Sequence, residues 1–259
     1  MNTLEKKMVE ILKILRENYG ATAVKASFEA EGIRLNELLT TKEIVLKADA
    51  GLTIKIGGCE ALTDIRLAKM YEANSIMAPM IESRFALEKF LGMSENEFTP
   101  DELEDLKLLI NIETVDGHEK IDRILEASNL DMLYGIVLGR TDLCNALKVK
   151  DPNAPEILSL AKDLFTKVKQ HNLRCLVGGG ITDKSVPFLR ELNGLIDGYE
   201  TRKVVFGDYD KAKVNIEEGI RLALTFEYHW YKLKQRYYDE LYQEDAVKIK
   251  SLSSILGLQ

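Results

Sequence analysis

The chain has 259 residues, a formal charge of −7, and 46% hydrophobic against 30% charged residues. This is ordinary globular composition with apolar material for a large core, and single α/β barrels commonly reach this length. The acidic balance argues against a nucleic-acid surface. The three cysteines, with no C-x-x-C pair among them, argue against a zinc site or a disulfide framework.

The N-terminal stretch MNTLEKKMVEILKILREN places Leu4, Met8, Ile11, Leu12 and Leu15 at helical spacing, and Gly20 ends it. Its acidic residues and the lack of a continuous apolar core do not suit a signal peptide. No run approaches the ~18 apolar residues of a membrane span. A cytoplasmic protein without a membrane partner is the expectation.

Short apolar patches then alternate with longer helical ones. Strands are expected at 22–30, 52–58, 75–81, 106–114, 133–140, 173–180 and 199–207. Helices are expected at 34–48, 60–73, 83–92, 117–128, 153–171, 183–193 and 210–225. Only 93–105, GMSENEFTPDELE, reads as a long polar connection. Strand–helix alternation means right-handed crossovers and a parallel sheet. Seven strands point to an α/β (β/α)8 TIM barrel with one strand missed or replaced, flanked by extra N- and C-terminal helices. A doubly wound open sheet is the alternative, and no G-x-G-x-x-G follows the first strand to support it.

Residues 1–225 form the expected barrel. Residues 226–259 are expected to be a helical extension, with Phe226, Trp230, Leu233, Tyr237 and Leu241 along one stripe. Such a stripe needs cover, either its own barrel or a second subunit in a homo-oligomer.

In a parallel barrel the chemistry sits at the C-terminal ends of the strands. Those ends carry Lys25, Ser27, Glu29 and Glu31; Thr53 and Lys55; Asn111 and Glu113; Arg140-Thr141-Asp142; Gly178-Gly179-Gly180; and Glu200, Arg202 and Lys203. In LINIETVD, Asn111 and Glu113 share one strand face. Glu113 and Asp142 are 29 residues apart, about one βα unit, which brings the two carboxylates together. Adjacent carboxylates repel unless a cation lies between them or one is protonated. Oxygen ligands without His or Cys suit Mg²⁺ or Mn²⁺. The alternative is that each carboxylate caps the helix that follows it.

Arg140 and Arg202 suit a second carboxylate or a phosphate, with structural ion pairs as the competing role. GGGIT (178–182) reads as a phosphate loop or a plain tight turn. Cys59 and Cys144 read as small apolar packers.

Taken together, LINIETVDG, IVLGRTDL, SIMAPMIES, FEAEG and TIKIGG resemble, in order and spacing, the HpcH/HpaI aldolase and citrate lyase β-subunit family. That resemblance covers roughly residues 22–145. It implies a divalent-metal-dependent carbon–carbon lyase or aldolase acting on a 2-oxo acid or a related small carboxylate. It also implies that Glu113 and Asp142 are the metal ligands and that Asn111 stands where the aldolases carry a Gln near the keto acid. Glu29 and Glu31 match an acidic pair beside the metal. Two positions depart from the family. Lys55 replaces the substrate-gripping Arg, losing its bidentate fork. Gly32 replaces a His proposed as a base. Two other readings follow from these departures: a barrel that binds an oxo acid without turnover, and a Schiff-base aldolase using Lys55.

Overall fold

In the computed structural model, which describes residues 1–256, eight strands close into a barrel in chain order. They are β1 (Ala21–Ser27), β2 (Gly51–Lys55), β3 (Ser75–Ala78), β4 (Lys107–Ile112), β5 (Leu133–Gly139), β6 (Arg174–Gly178), β7 (Gly198–Glu200) and β8 (Val204–Phe206). The first seven run parallel. β8 runs antiparallel to both of its neighbours, β7 and β1.

The barrel expectation holds, with a change at the last step. The segment 199–207, read as one strand, is a hairpin, with Glu200 opposite Val205 and Tyr199 opposite Phe206. No crossover helix separates β7 from β8. The turn contains neither Gly nor Pro. It closes because Thr201 N–H donates to Val204 O (2.9 Å) and Val204 N–H donates to Thr201 Oγ1 (3.0 Å), a local bond that hydroxyl residues offer.

The helices among the described residues are α1 (Thr3–Tyr19), α2 (Leu35–Lys47), α3 (Leu62–Met70), α4 (Arg84–Glu97), α5 (Pro100–Asp105), α6 (Val115–Glu119), α7 (Ile121–Ile124), α8 (Arg140–Leu147), α9 (Pro155–Lys169), α10 (Val186–Glu191), α11 (Tyr209–Ala212) and α12 (Ile216–Leu256). The polar connection expected at 93–105 is instead the last turn of α4 and all of α5. Thr99-Pro100-Asp101-Glu102 forms a capping box with Pro in the first turn, and this starts a helix that contains no buried residue.

Two apolar layers hold the barrel. The outer one lies between strands and helices and includes Leu52, Ile76, Ile110, Ile136, Phe165 and Phe206. The inner one fills the lower barrel with Ala23, Met77, Leu109, Val137, Leu176 and Val205. Because side chains alternate along a strand, the next inward positions above that layer are Lys25, Asn111 and Gly139, followed by Glu113. The two-residue period thus changes the barrel filling from apolar to charged at the C-terminal mouth.

α12 is continuous, so the expected boundary at 225/226 falls inside one helix. Ile216, Ile220, Ala223, Phe226 and Trp230 are buried in the outer core, and α12 packs along α1. Farther on, Tyr237 and Leu241 are exposed. There the helix is tied to α2: Tyr238 Oη donates to Glu37 Oε1 (2.7 Å), Lys234 pairs with the same oxygen (3.0 Å), and the Arg34 guanidinium stacks 4.4 Å over the Tyr238 ring. The last three residues of the tail, 257–259, lie outside the described residues.

Candidate active site

The charged inward positions surround a cavity of about 280 Å³ at the C-terminal ends of the strands. Lys25, Lys55, Asn111, Glu113, Asp142 and Glu200 all face it, together with the glycines at 178–180. A larger concavity, about 1020 Å³, runs along α12 beside Tyr228 and Arg236, but it lies away from every strand end.

Glu113 is 3% exposed and fully engaged. Its carboxylate accepts from Asn111 Nδ2 (2.8 Å), from the Met80 backbone N–H (3.1 Å) and from Lys55 Nζ (3.2 and 3.3 Å to its two oxygens). Met80 has left-handed backbone (φ 52°), which is costly for a residue with a side chain, and its N–H is one of the donors to Glu113. Gly139 gives the carboxylate its space: a methyl group there would lie 2.5 Å from Glu113 Oε2.

Asp142 lies in the first turn of α8, half-buried and facing the cavity. Its carboxylate pairs with no described side chain. Asn111 is 4% exposed and its Oδ1 is buried without a partner; so is Oε2 of Glu200. The cavity therefore contains two carboxylates from consecutive βα units, and further oxygen acceptors whose hydrogen-bonding capacity is unfilled.

Among the described residues no group of three or more His, Cys, Asp or Glu converges as a metal cage. Two carboxylates beside open space still suit a hard divalent cation. Mg²⁺ is commonly held by one or two carboxylates, with waters and substrate filling the rest of its shell. None of the three histidines lines the cavity.

Other sequence expectations are corrected here. Arg140 does not face the cavity. It is 0% exposed, beneath the loop at 178–180. Its guanidinium donates to Gly178 O (3.1 Å), Gly179 O (2.8 Å), Pro152 O (3.1 Å) and Asn153 Oδ1 (2.9 Å), and it stacks on Phe188. Burial pulls its pKa down to about 10, so it remains charged at neutral pH. Arg140 is thus a clamp for the GGG turn, with no donor left for a substrate.

Glu29 is exposed on the loop after β1, beside Gly57, and does not line the cavity. Glu31 does line it, but its carboxylate is held by Lys203 Nζ (2.5 Å), itself buried against Trp230. Arg202 stays at the rim on the hairpin tip, 60% exposed, 3.4 Å from Glu227 of α12.

The pairing least visible in the sequence is Lys25 with Glu200. Lys25 Nζ of β1 forms an ion pair with Glu200 Oε1 of β7 across the antiparallel β8. Each residue stands at a strand end, but their contact depends on barrel closure.

Residues 54–178 match the family model described as HpcH/HpaI aldolase/citrate lyase. This match carries the family resemblance, and it spans Lys55, Asn111, Glu113 and Asp142. Solved structures share the fold. An HpcH/HpaI aldolase from Desulfitobacterium hafniense DCB-2 superimposes with a TM-score of 0.62 at 12% identity, covering 77% of this chain and 83% of its own. An HpcH/HpaI aldolase/citrate lyase family protein from Burkholderia cenocepacia J2315 gives 0.60 at 13% identity over 84% and 89%. The citrate synthase SbnG gives 0.56 at 17% identity over 71% and 78%. No curated protein sequence matches. Among the described residues, no helix is long and apolar enough to cross a membrane.

Proposed function

We propose that this barrel is a divalent-metal-dependent carbon–carbon lyase or aldolase whose substrate passes through the enolate of a 2-oxo acid. The observation that carries the reading is that Glu113 and Asp142, within the family-matched segment, line one cavity with unfilled oxygen acceptors beside them.

Glu113 and Asp142 would hold Mg²⁺ or Mn²⁺, which when bound supplies a Lewis acid for the oxygen that becomes negative. The chain's own side chains do the rest. Asn111 and the Met80 N–H fix the orientation of the Glu113 carboxylate, and Lys55 balances its charge. Lys25, Lys55 and the rim guanidinium of Arg202 supply positive charge for a small carboxylate substrate. The Lys55 ammonium is paired with both Glu113 oxygens, which favours an electrostatic role over attack on a carbonyl as a free amine. A homo-oligomer, with the exposed end of α12 against a second copy, accords with the apolar residues that the helix leaves uncovered.

The test is deuterium exchange into the methyl group of pyruvate, read by proton NMR in D₂O with Mn²⁺, with EDTA, and with Glu113→Gln. Exchange that needs the metal and disappears in the variant supports the reading. If neither pyruvate nor a series of larger 2-oxo acids exchanges, the protein is instead a barrel that binds without turnover.

A further inference from the structure

We propose that Glu200, oriented by Lys25, is the group that carries the proton in this cavity. The inference rests on the enolate reading above and adds a catalytic residue to it. None of the three histidines lines the cavity, and its carboxylates are the groups present that can accept a proton.

Glu200 is 2% exposed and lines the cavity. Its Oε1 is held by Lys25, and its Oε2 is buried with no partner. A carboxylate oxygen left unfilled at such depth costs stability, and it is at functional sites that such costs are retained. Glu113 differs, because both of its oxygens are occupied by Lys55, Asn111 and Met80. Of the two, only Glu200 has an oxygen free to take a proton.

Position supports the same assignment. Gly139 and Gly178 are register partners on β5 and β6. Glu113 lies over the first, and Glu200 lies over the second, 3.0 Å from where a methyl group would be. With strands ~4.8 Å apart, the two carboxylates lie within roughly 10 Å of each other, on either side of the space a small acid would occupy.

The step is a proton transfer. The Glu200 carboxylate takes the proton from the carbon next to the substrate carbonyl. The C–H electron pair becomes the new C=C bond, and the carbonyl π pair moves to oxygen as the enolate charge. The carboxylic acid so formed exchanges its proton with solvent and returns one to the same carbon. Lys25 positions Glu200 through the ion pair to Oε1. A well-placed base contributes roughly 10²–10⁴-fold to such a step.

The experiment uses the same pyruvate exchange with Mn²⁺, comparing wild type, Glu200→Gln, and the double variant Lys25→Met/Glu200→Gln, which removes the charged pair together and so leaves no lone buried lysine. The expected result is a fall of at least about 100-fold in kcat for exchange in both variants. In Glu200→Gln, which keeps Lys25, the pyruvate KM should stay within about threefold, and in both variants Mn²⁺ affinity, read by electron paramagnetic resonance, should not change. Exchange within about threefold of wild type in either folded variant would overturn the proposal. A fall in Mn²⁺ affinity matching the fall in rate would also overturn it, by making Glu200 part of the cation site. Absence of exchange in the wild type would instead remove the enolate reading itself.

Discussion

Lys55 on β2 and Glu113 after β4 meet across the barrel mouth, with the ammonium 3.2 and 3.3 Å from the two carboxylate oxygens. The lysine therefore occupies one side of the carboxylate that the proposed metal also needs. Lys55→Met should tighten Mn²⁺ binding by roughly tenfold, because a like charge leaves the site. It should also slow turnover, because a cation beside the substrate is lost. Titration with Mn²⁺ followed by electron paramagnetic resonance checks the first half. Weaker binding in the variant would show that Lys55 supports the cation site by holding Glu113 in place.

Gly139→Ala tests the space beside Glu113. The backbone there is acceptable to alanine (φ −86°), so the expected effect is steric: the new methyl would lie 2.5 Å from Oε2 and 2.6 Å from Cβ of Glu113. Mn²⁺ affinity should fall by about tenfold or more, with a stability loss of ~1–3 kcal/mol from overpacking. Gly58→Ala is the control, since nothing lies within 4 Å of a methyl group there.

Arg140→Met should be a stability variant. It leaves the carbonyls of Gly178, Gly179 and Pro152 without their buried donor. The expected loss is about 4 kcal/mol, and the melting temperature should drop on the order of 10 °C. Calorimetry with and without Mn²⁺ would check this. A variant that melts normally but loses substrate affinity would return Arg140 to a binding role.

Acid should loosen the far half of α12 before the barrel. Burial pushes the Glu37 carboxyl up, but the Tyr238 hydroxyl, the Arg34 backbone N–H and Lys234 outweigh it, and the net shift is downward. The stabilising contribution of a depressed carboxyl is present above its unfolded pKa, ~4.3 for Glu, and is lost as pH falls through the folded value. Hydrogen exchange of residues 230–245 should therefore accelerate below about pH 4, and Glu37→Gln should show that faster exchange already at neutral pH. Equal exchange in both proteins at pH 7 would count against Glu37 as the anchor.

The inward parity of Asn111 and Glu113, and the arrival of Asp142 one βα unit later, could be read from the sequence because they depend on a two-residue period and a repeat length. The structure keeps both. The strand period makes Glu29 an inward group only if it continues two residues beyond Ser27, and β1 ends there. Arg140 misled for a different reason: arginine is rarely buried, and only the folded 178–180 turn supplies the carbonyls that satisfy it. The β7–β8 hairpin carried no Gly or Pro to mark its turn. The capping box at Thr99 is written in the sequence as T-P-D-E, inside a stretch whose polarity alone suggests a loop. The Lys25–Glu200 pair joins residues 175 positions apart, which no local pattern encodes.

The antiparallel β8 also decides where this barrel is weakest. β7 pairs over only two positions with β6 and two with β8, and β8 joins β1 over three, whereas β4 and β5 pair over five positions on the far side. Few ladder bonds hold this seam, and α1 and α12, the two ends of the chain, pack against each other over this side. The chain termini thus act as a clasp on the joint that also positions Glu200 and the hairpin tip. Shortening either helix should make the barrel breathe at β8 first, so that a cut made far from the cavity is felt inside it.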